Sequence, residues 1–350
     1  MLADNPYFDN HERVLFINDQ PTGLKAIIAI HSTVLGPAVG GIRMWPYDNE
    51  ADALNDVLKL SRGMTLKTAI ADLPLGGGKS VIIGDPNIHK TPQLLHAFGR
   101  ALNDLGGSYI GGEDVGMTVA DVVEIQSVSE YVAGSNQGKN ASGDPSLQTA
   151  LGVFLGIKAA VTMRFGQDGV AGLTVGVQGL GNVGMRLARQ LHANGARLVV
   201  AALDGGRVEA AVKEFGAEVA RPDAIHAADL DVFSPCAMGG ILNAASITEM
   251  NAKVVAGSAN NQLQDIADGG RLLEAGILYA PDYVINGGGV INIAGEALSN
   301  YDPASVDAKV RNIPRILNQI FDRSARRKLP PGEVADQMAM ERLEPVAASA

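Results

Sequence analysis

Residues Val175 to Gly184, VGVQGLGNVG, constrain this chain more than any other stretch. A strand-like run enters Gly179-x-Gly181-x-x-Gly184 and leaves as a helix, Val183 to Asn194. In that context the glycines allow a tight turn, close approach of a pyrophosphate and close packing of helix on strand. The N–H groups that open the helix are available to phosphates. A second strand, Arg197 to Leu203, runs directly into Asp204. A carboxylate about 20 residues after the turn accepts hydrogen bonds from the adenosine ribose and repels a 2′-phosphate. The pattern predicts a Rossmann-like domain holding NAD rather than NADP, with Arg207 close enough to blur the preference. A glycine turn that serves only packing is the competing reading. The strand, the helix and Asp204 together weigh against it.

The rest of the chain reads as α/β in two domains, since 350 residues exceed one ordinary domain. Domain one is expected over residues 1–145, with a C-terminal helix (330–350) returning to it. The Rossmann domain is expected over 146–329. In the first half, Leu24–Ile30 and Ser80–Ile83 read as strands and Asn49–Arg62 as a helix. Thr91-Pro92 opens a second helix, and Thr118-Val-Ala-Asp121 resembles a capping box. In the second half Gln148–Met163 reads as a long helix and Thr174–Gln178 as a strand. Later strand candidates are Val232-Phe233, Val254–Ala256 and Tyr283–Ile285. This alternation predicts a doubly wound parallel sheet. Residues 306–321 keep a helical period around Pro314, which must start, end or kink a helix. A last helix is expected from Val334 to Leu343.

Composition excludes several classes. Asp plus Glu is 38 against 28 for Lys plus Arg, a formal charge of −10, which disfavours a nucleic-acid partner. The Arg323–Lys328 cluster reads as a solvated helix end. Cys236 is the only cysteine, and the six histidines include no i, i+4 pair, so no metal site is expected. The N-terminus lacks the basic-then-apolar pattern of a signal peptide. The apolar run Thr149–Met163 contains Lys158 and is shorter than the roughly 20 residues of a span. A cytoplasmic protein without membrane contact is the resulting expectation. Glycine is the outlier, at 42 of 350 residues, where roughly 7% is average.

Much of that glycine surrounds chemistry-bearing side chains. Lys79 ends Gly76-Gly77-Gly78 and precedes the buried run SVII. A solvated lysine is the bland alternative, but the triple glycine places the ammonium at the mouth of a strand. Desolvation, or a second lysine such as Lys67, would depress its pKa, and a neutral lysine is a general base. A lysine that stays charged anchors a carboxylate. Gly111-Gly112-Glu113-Asp114 presents an acidic pair, either a helix-capping turn or a carboxylate placed for proton transfer. Gly287-Gly288-Gly289 precedes Val290–Ile293, a helix start facing a possible ligand. Asn260 and Asn261 are either ligand-binding or buried-turn asparagines.

These motifs together resemble the glutamate/leucine/phenylalanine/valine dehydrogenase family. The match includes GPAVGGIRMWPY at 36–47, SRGMTLKTA at 61–69, LPLGGGKSVIIGDP at 73–86 and GGEDVGMT at 111–118. It continues with VQGLGNVG at 177–184, FSPCAMGG at 233–240, SANNQL at 258–263 and INGGGVIN at 285–292. The leucine dehydrogenase branch is the most similar. The resemblance implies NAD-dependent, reversible oxidative deamination of an L-amino acid to a 2-oxo acid and ammonium, in a cleft between two domains. It implies that Lys67 binds the substrate carboxylate, that Lys79 activates water, and that Asp114 exchanges protons with the amino group. Thr149 matches a threonine near the nicotinamide. Gly179, Gly181, Asn182, Val183, Gly184, Asp204, Cys236, Ala237 and Asn260 are the remaining cofactor positions it implies. It also implies a homo-oligomer, for which a dimer is expected.

For the substrate pocket the resemblance points to Val39, Gly40, Gly41, Met64, Gly112, Asn260, Val290 and Ile293. Glutamate enzymes carry a lysine where this chain has Val39, and a serine where it has Ile293. An apolar pair cannot compensate a buried carboxylate, so glutamate is disfavoured. Leucine, valine or isoleucine is the expected substrate. Gly112 stands where leucine enzymes carry alanine, which leaves phenylalanine or tryptophan as the alternative. A non-catalytic NAD-binding sensor is a third reading, against which Lys67, Lys79 and Asp114 all stand.

Overall fold

Glycines in the first half of the chain let neighbouring strands, a helix and a tyrosine ring approach its sheet closely. The computed structural model describes residues 2–135 and 141–344. The first sheet contains β1 (Arg13–Asp19), β2 (Leu24–Ser32), β3 (Ala38–Trp45), β4 (Gly76–Ile83), β5 (Tyr109–Glu113) and β6 (Val132–Ala133). Their order is β1-β2-β4-β3-β5-β6. β1 and β2 form an antiparallel hairpin and β2 pairs antiparallel with β4, while β4, β3, β5 and β6 run parallel.

Alternating side chains give this sheet two buried faces. On one face Ile27, Ala29 and Val81 pack against Ala53, Val57 and Leu58 of the helix Glu50–Ile70. On the other, Ile28, Ile42, Met44 and Ile82 pack against the helices Pro92–Asp104 and Val119–Gln126. The helix starts follow the sequence: Asn49 and Thr91 cap theirs, and Thr118 and Asp121 form the expected reciprocal capping box.

Several expectations need correction. The helix read as ending at Arg62 runs to Ile70, so Met64 and Lys67 lie on it. β4 begins at Gly76 rather than Ser80, so the three glycines lie inside the strand and Lys79 is mid-strand, not at its mouth. A Cβ on Gly77 would sit 2.0 Å from the Thr65 amide nitrogen, and one on Gly78 2.7 Å from the Tyr109 ring. The glycines therefore serve close helix and side-chain packing along a continuous strand. β1 and β3 were not anticipated.

In the second half all strands are parallel: β7 (Thr174–Gln178), β8 (Arg197–Ala201), β9 (Glu218–Val219), β10 (Val232–Pro235), β11 (Val254–Val255) and β12 (Leu278–Tyr279). Their order β12-β11-β10-β7-β8-β9 reverses direction beside β7. That switch point opens a crevice at the carboxyl ends of the strands. Tyr283–Ile285, read as a strand, belongs to a short helix, Asp282–Ile285, and the sheet edge is Leu278–Tyr279 instead. A short apolar run cannot by itself distinguish the two. Pro314 separates two helices, Pro303–Val310 and Ile313–Arg327, and sits in the first turn of the second. The last helix starts at Pro331 and ends at Glu341. The tail 345–350 lies outside the described residues.

The chain divides into two compact units. One comprises Met1–Asp144, Asn292–Pro303 and Ala339–Ala350; the other comprises Pro145–Ile291 and Ala304–Met338. The helix read as Gln148–Met163 spans Ser146–Phe165, long and apolar enough to cross a membrane by length and composition. Half of its most apolar window is buried within the protein. Gly152 and Gly156 bring it against Ile285, Ile313 and Leu317, so its apolar character is accounted for by core packing.

Two buried histidines make the first unit sensitive to acid. His11 and His31 meet edge to face, with ring centroids 4.8 Å apart. Burial, then the neighbouring His11, pushes His31 down to about 4. A histidine with a depressed folded pKa contributes stability that is present above its unfolded pKa and lost as pH falls through the folded value. The melting temperature should therefore drop by several degrees as pH falls from about 6.5 through about 4. His31→Asn should flatten that decline. Parallel melting curves for the two proteins across this range would refute the assignment.

Candidate active site

The first unit brings Lys79 and Asp114 into contact. Lys79, on β4, places Nζ 2.6 Å from Asp114 Oδ2, just after β5. The neighbouring strand is bare at this point because Gly41 of β3 lies beneath the pair. A Cβ on Gly41 would come within 2.8 Å of Lys79 Nζ and 2.7 Å of Asp114 Cβ. Gly40, one residue earlier, faces the other way, where a Cβ would meet the Gly78 carbonyl oxygen at 1.8 Å. Gly41 pairs in register with Gly112 and Val39 with Ile110. Val39 is buried.

The electrostatics suit proton transfer. Burial and, secondarily, the Arg43 guanidinium lower the Lys79 pKa, opposed by Asp114. Burial alone would raise the Asp114 carboxyl, but Lys79 and Arg43 outweigh it and hold it below its ordinary value. The desolvation anticipated for Lys79 is the largest of the causes acting on it. Glu113, the other member of the acidic pair, is raised by burial and then by Asp121 and Asp114.

Met64 and Lys67 lie three residues apart on the helix Glu50–Ile70, hence on one face. Ile293 lies in the helix Gly288–Ala297, within the stretch that belongs to the first unit. Three residues on, Glu296 accepts hydrogen bonds from the Gly134, Ser135 and Ser142 amides and the Ser142 hydroxyl. That clamp, and the Arg43, Asp56 and Tyr47 side chains around Asp114, went unnoticed in the sequence. Arg43 was legible in principle: it is a cation two residues beyond Gly41 on a strand, so it shares Gly41's face.

In the second unit a cavity of about 740 Å³ lies over the carboxyl ends of β7 and β8. Gly179, Gly181, Asp204, Arg207, Ala237 and Met238 are among its walls. Gly179 adopts φ +98°, and a Cβ on Gly184 would meet the Gly179 carbonyl oxygen at 1.9 Å, so both positions require glycine. Asn182 and Val183 open the helix Asn182–Ala193, whose Gly181 cap supplies no side-chain acceptor. Its first amides can therefore face an anion. Asp204 caps the next helix through the Arg207 amide and lies 3.4 Å from the Arg207 guanidinium, while Arg207 donates to the Leu180 carbonyl. These residues fit a dinucleotide with its pyrophosphate at the glycine turn and its adenosine ribose at Asp204.

Other expected cofactor positions lie elsewhere in this unit. Cys236 packs near Gly184 rather than lining the cavity. Asn260 accepts a hydrogen bond from Asn286 at 2.8 Å. Thr149 donates to the Pro145 carbonyl and lies against Gly289, where a Cβ would be 2.9 Å from its hydroxyl. Val290 is buried in the same unit. Among the described residues no His/Cys/Asp/Glu group could hold a metal.

Comparison with known proteins gives a consistent picture. The Glu/Leu/Phe/Val dehydrogenase dimerisation domain matches residues 11–132, and the Glutamate/Leucine/Phenylalanine/Valine dehydrogenase domain matches residues 205–347. Leucine dehydrogenase from Geobacillus stearothermophilus is 49% identical over 335 residues, 96% of this chain and 91% of that protein. Phenylalanine dehydrogenase from Lysinibacillus sphaericus is 44% identical over 340 residues, 96% of this chain and 89% of that protein. The crystal structure of L-tryptophan dehydrogenase from Nostoc punctiforme superposes with a TM-score of 0.86 at 44% identity, covering 95% of this chain and 96% of that one.

Proposed function

Because this chain belongs to the glutamate/leucine/phenylalanine/valine dehydrogenase family and is an amino-acid dehydrogenase, we propose that it catalyses NAD-dependent, reversible oxidative deamination of a branched-chain L-amino acid. The balanced reaction converts the L-amino acid, NAD⁺ and water to the 2-oxo acid, ammonium, NADH and a proton. The observation that carries the reading is the buried Lys79–Asp114 contact over Gly41. Lys67 anchors the substrate carboxylate. Asp114 takes the proton from the substrate ammonium so that the nitrogen lone pair can assist departure of the α-hydride. Bound in the second unit, NAD⁺ supplies the hydride acceptor. Lys79, its pKa lowered, then deprotonates water for attack on the imine carbon, and Asp114 returns a proton to the nitrogen. The C–N bond breaks as the carbinolamine hydroxyl gives its proton to the departing ammonia, while the proton on Lys79 passes to solvent.

Asp204 supports NAD over NADP, and the Arg207 guanidinium is drawn toward Asp204 and the Leu180 carbonyl. A dimer is the proposed assembly, supported by the match of residues 11–132 to a dimerisation domain. Sedimentation should report about twice the chain mass, and a monomer or an octamer would refute it.

The branched-chain assignment rests on Val39 and Ile293, which offer no charge to a glutamate side chain. One observation favours an aromatic substrate: a Cβ on Gly112 would meet nothing nearer than the Ala133 carbonyl oxygen at 3.4 Å, so that wall is open. Reduction of NAD⁺ and NADP⁺ should be compared across L-leucine, L-valine, L-phenylalanine, L-tryptophan and L-glutamate. Leucine and valine with NAD⁺ should give the highest kcat/KM. Gly112→Ala should fold normally and lower kcat/KM for phenylalanine relative to leucine by about tenfold, the weight of one methyl group in an apolar pocket. An unchanged ratio would mean that Gly112 does not border the side chain.

A further inference from the structure

We propose that Arg43 is a positioning residue for the Lys79–Asp114 pair, itself anchored by Asp56 and Tyr47. The inference rests on the reading of Lys79 and Asp114 as the proton-transfer groups and adds residues that do not touch substrate. Arg43 spans two carboxylates with different nitrogens. Its Nε donates to Asp114 Oδ2 at 3.1 Å and its Nη1 to Asp56 Oδ2 at 2.8 Å. The Tyr47 hydroxyl donates to that same Asp56 oxygen at 2.5 Å. Asp114 Oδ2 thus takes Arg43 and Lys79 together.

The result is a line of alternating charge, Lys79, Asp114, Arg43 and Asp56, drawn from four different segments. Lys79 comes from β4, Asp114 from the end of β5, Arg43 from β3, and Asp56 from the helix Glu50–Ile70. The other titratable groups on these elements are Tyr109 and Glu113 on β5, Tyr47 just after β3, and Glu50, Asp52, Lys59, Arg62 and Lys67 on the helix, with Lys67 three helical turns along from Asp56. The Arg43, Asp56 and Asp114 side chains are only 22%, 27% and 22% exposed, so their charges act through a medium less screening than water.

This arrangement has a consequence of definite sign. The Arg43 charge favours the deprotonated forms of both Asp114 and Lys79, whereas Asp56 opposes it by favouring protonated Lys79. Because Lys79 and Asp114 are coupled, the acidic limb of the pH profile belongs to the pair. Arg43→Gln should move that limb of log kcat/KM upward by about one pH unit. Asp56→Asn should move it downward. A residue that only supports the fold would lower activity without opposite shifts of this kind.

The experiment is the pH dependence of kcat/KM for L-leucine and NAD⁺, from about pH 6 to about pH 11, for the full chain and its variants. Arg43→Lys should leave the limb near its original position but lower kcat by about tenfold, since an ammonium keeps the charge without the fork that spans both carboxylates. Should Arg43→Gln fail to fold, the near-isosteric Asp56→Asn decides through its downward shift. Limbs unmoved in the variants that fold would overturn the proposal. Lys79→Ala and Asp114→Asn serve as controls. If both retained turnover, the reading of the pair itself would fall and the proposal with it; if both lost turnover while the limb stayed fixed, only the role of Arg43 would fall.

Discussion

Lys79→Ala is expected to lower kcat by roughly 10² to 10⁴-fold, the usual cost of losing a positioned general base. The substitution removes the ammonium in contact with Asp114, but Arg43 remains 3.1 Å from the same carboxylate oxygen. Asp114 is therefore left with a counter-ion, and the fold should survive. The glycine turn and Asp204 belong to the other unit, so NADH affinity, followed by its fluorescence on titration, should stay nearly unchanged. A variant with near-normal turnover would remove Lys79 from the chemistry. One that loses turnover and NADH binding together would point to a damaged fold instead.

Gly41→Ala should cost about 10²-fold in turnover and lower the melting temperature less than Gly40→Ala does. The added methyl would lie 2.8 Å from Lys79 Nζ and 2.7 Å from Asp114 Cβ. The lysine is flexible at its far end and can move, but Asp114 Cβ is fixed to the backbone, so part of the cost falls on folding. On the proposed role of the Lys79–Asp114 contact, it cannot move without loss, because a displacement near 1 Å at a reacting group is worth about 10²-fold. Gly40→Ala makes the contrast. Its Cβ would meet the Gly78 carbonyl oxygen at 1.8 Å, backbone against backbone, so stability should fall first. Thermal melting and steady-state kinetics on both variants separate the effects. Full activity in Gly41→Ala would show that the pair does not depend on the bare strand beneath it.

The dinucleotide half was the more legible. Its glycine turn and the following acid are local, so strand, turn, helix and Asp204 could be read from about thirty residues. The half that carries Lys79 and Asp114 was legible only in part. Lys79 and Asp114 stood out among glycines, but Arg43 lay within a quoted motif without a role. Its partners are 13 and 71 residues away, and no periodicity links them. The triple glycine misled for a related reason. Glycine commonly ends strands, yet here β4 runs through Gly76–Gly78 because Thr65 and Tyr109 occupy the space their side chains would need. Similarly, Tyr283–Ile285 has the composition of a strand but follows Pro281 into a helical turn.

Hydrophobic periodicity, glycine spacing and helix caps determined the α/β class and the Rossmann-like sheet and set Lys79 and Asp114 apart among glycines, because those signals act between near neighbours in the chain. Tertiary structure alone decided that Lys79 lies mid-strand, that Asp114 is shared between an ammonium and a guanidinium, and that Asp56 anchors the latter. Those contacts join β3, β4, the end of β5 and a helix, and which charges meet there depends on sheet order and register. Strand order is set by burying both faces of the sheet at once, a condition on the whole unit that no local stretch of sequence expresses.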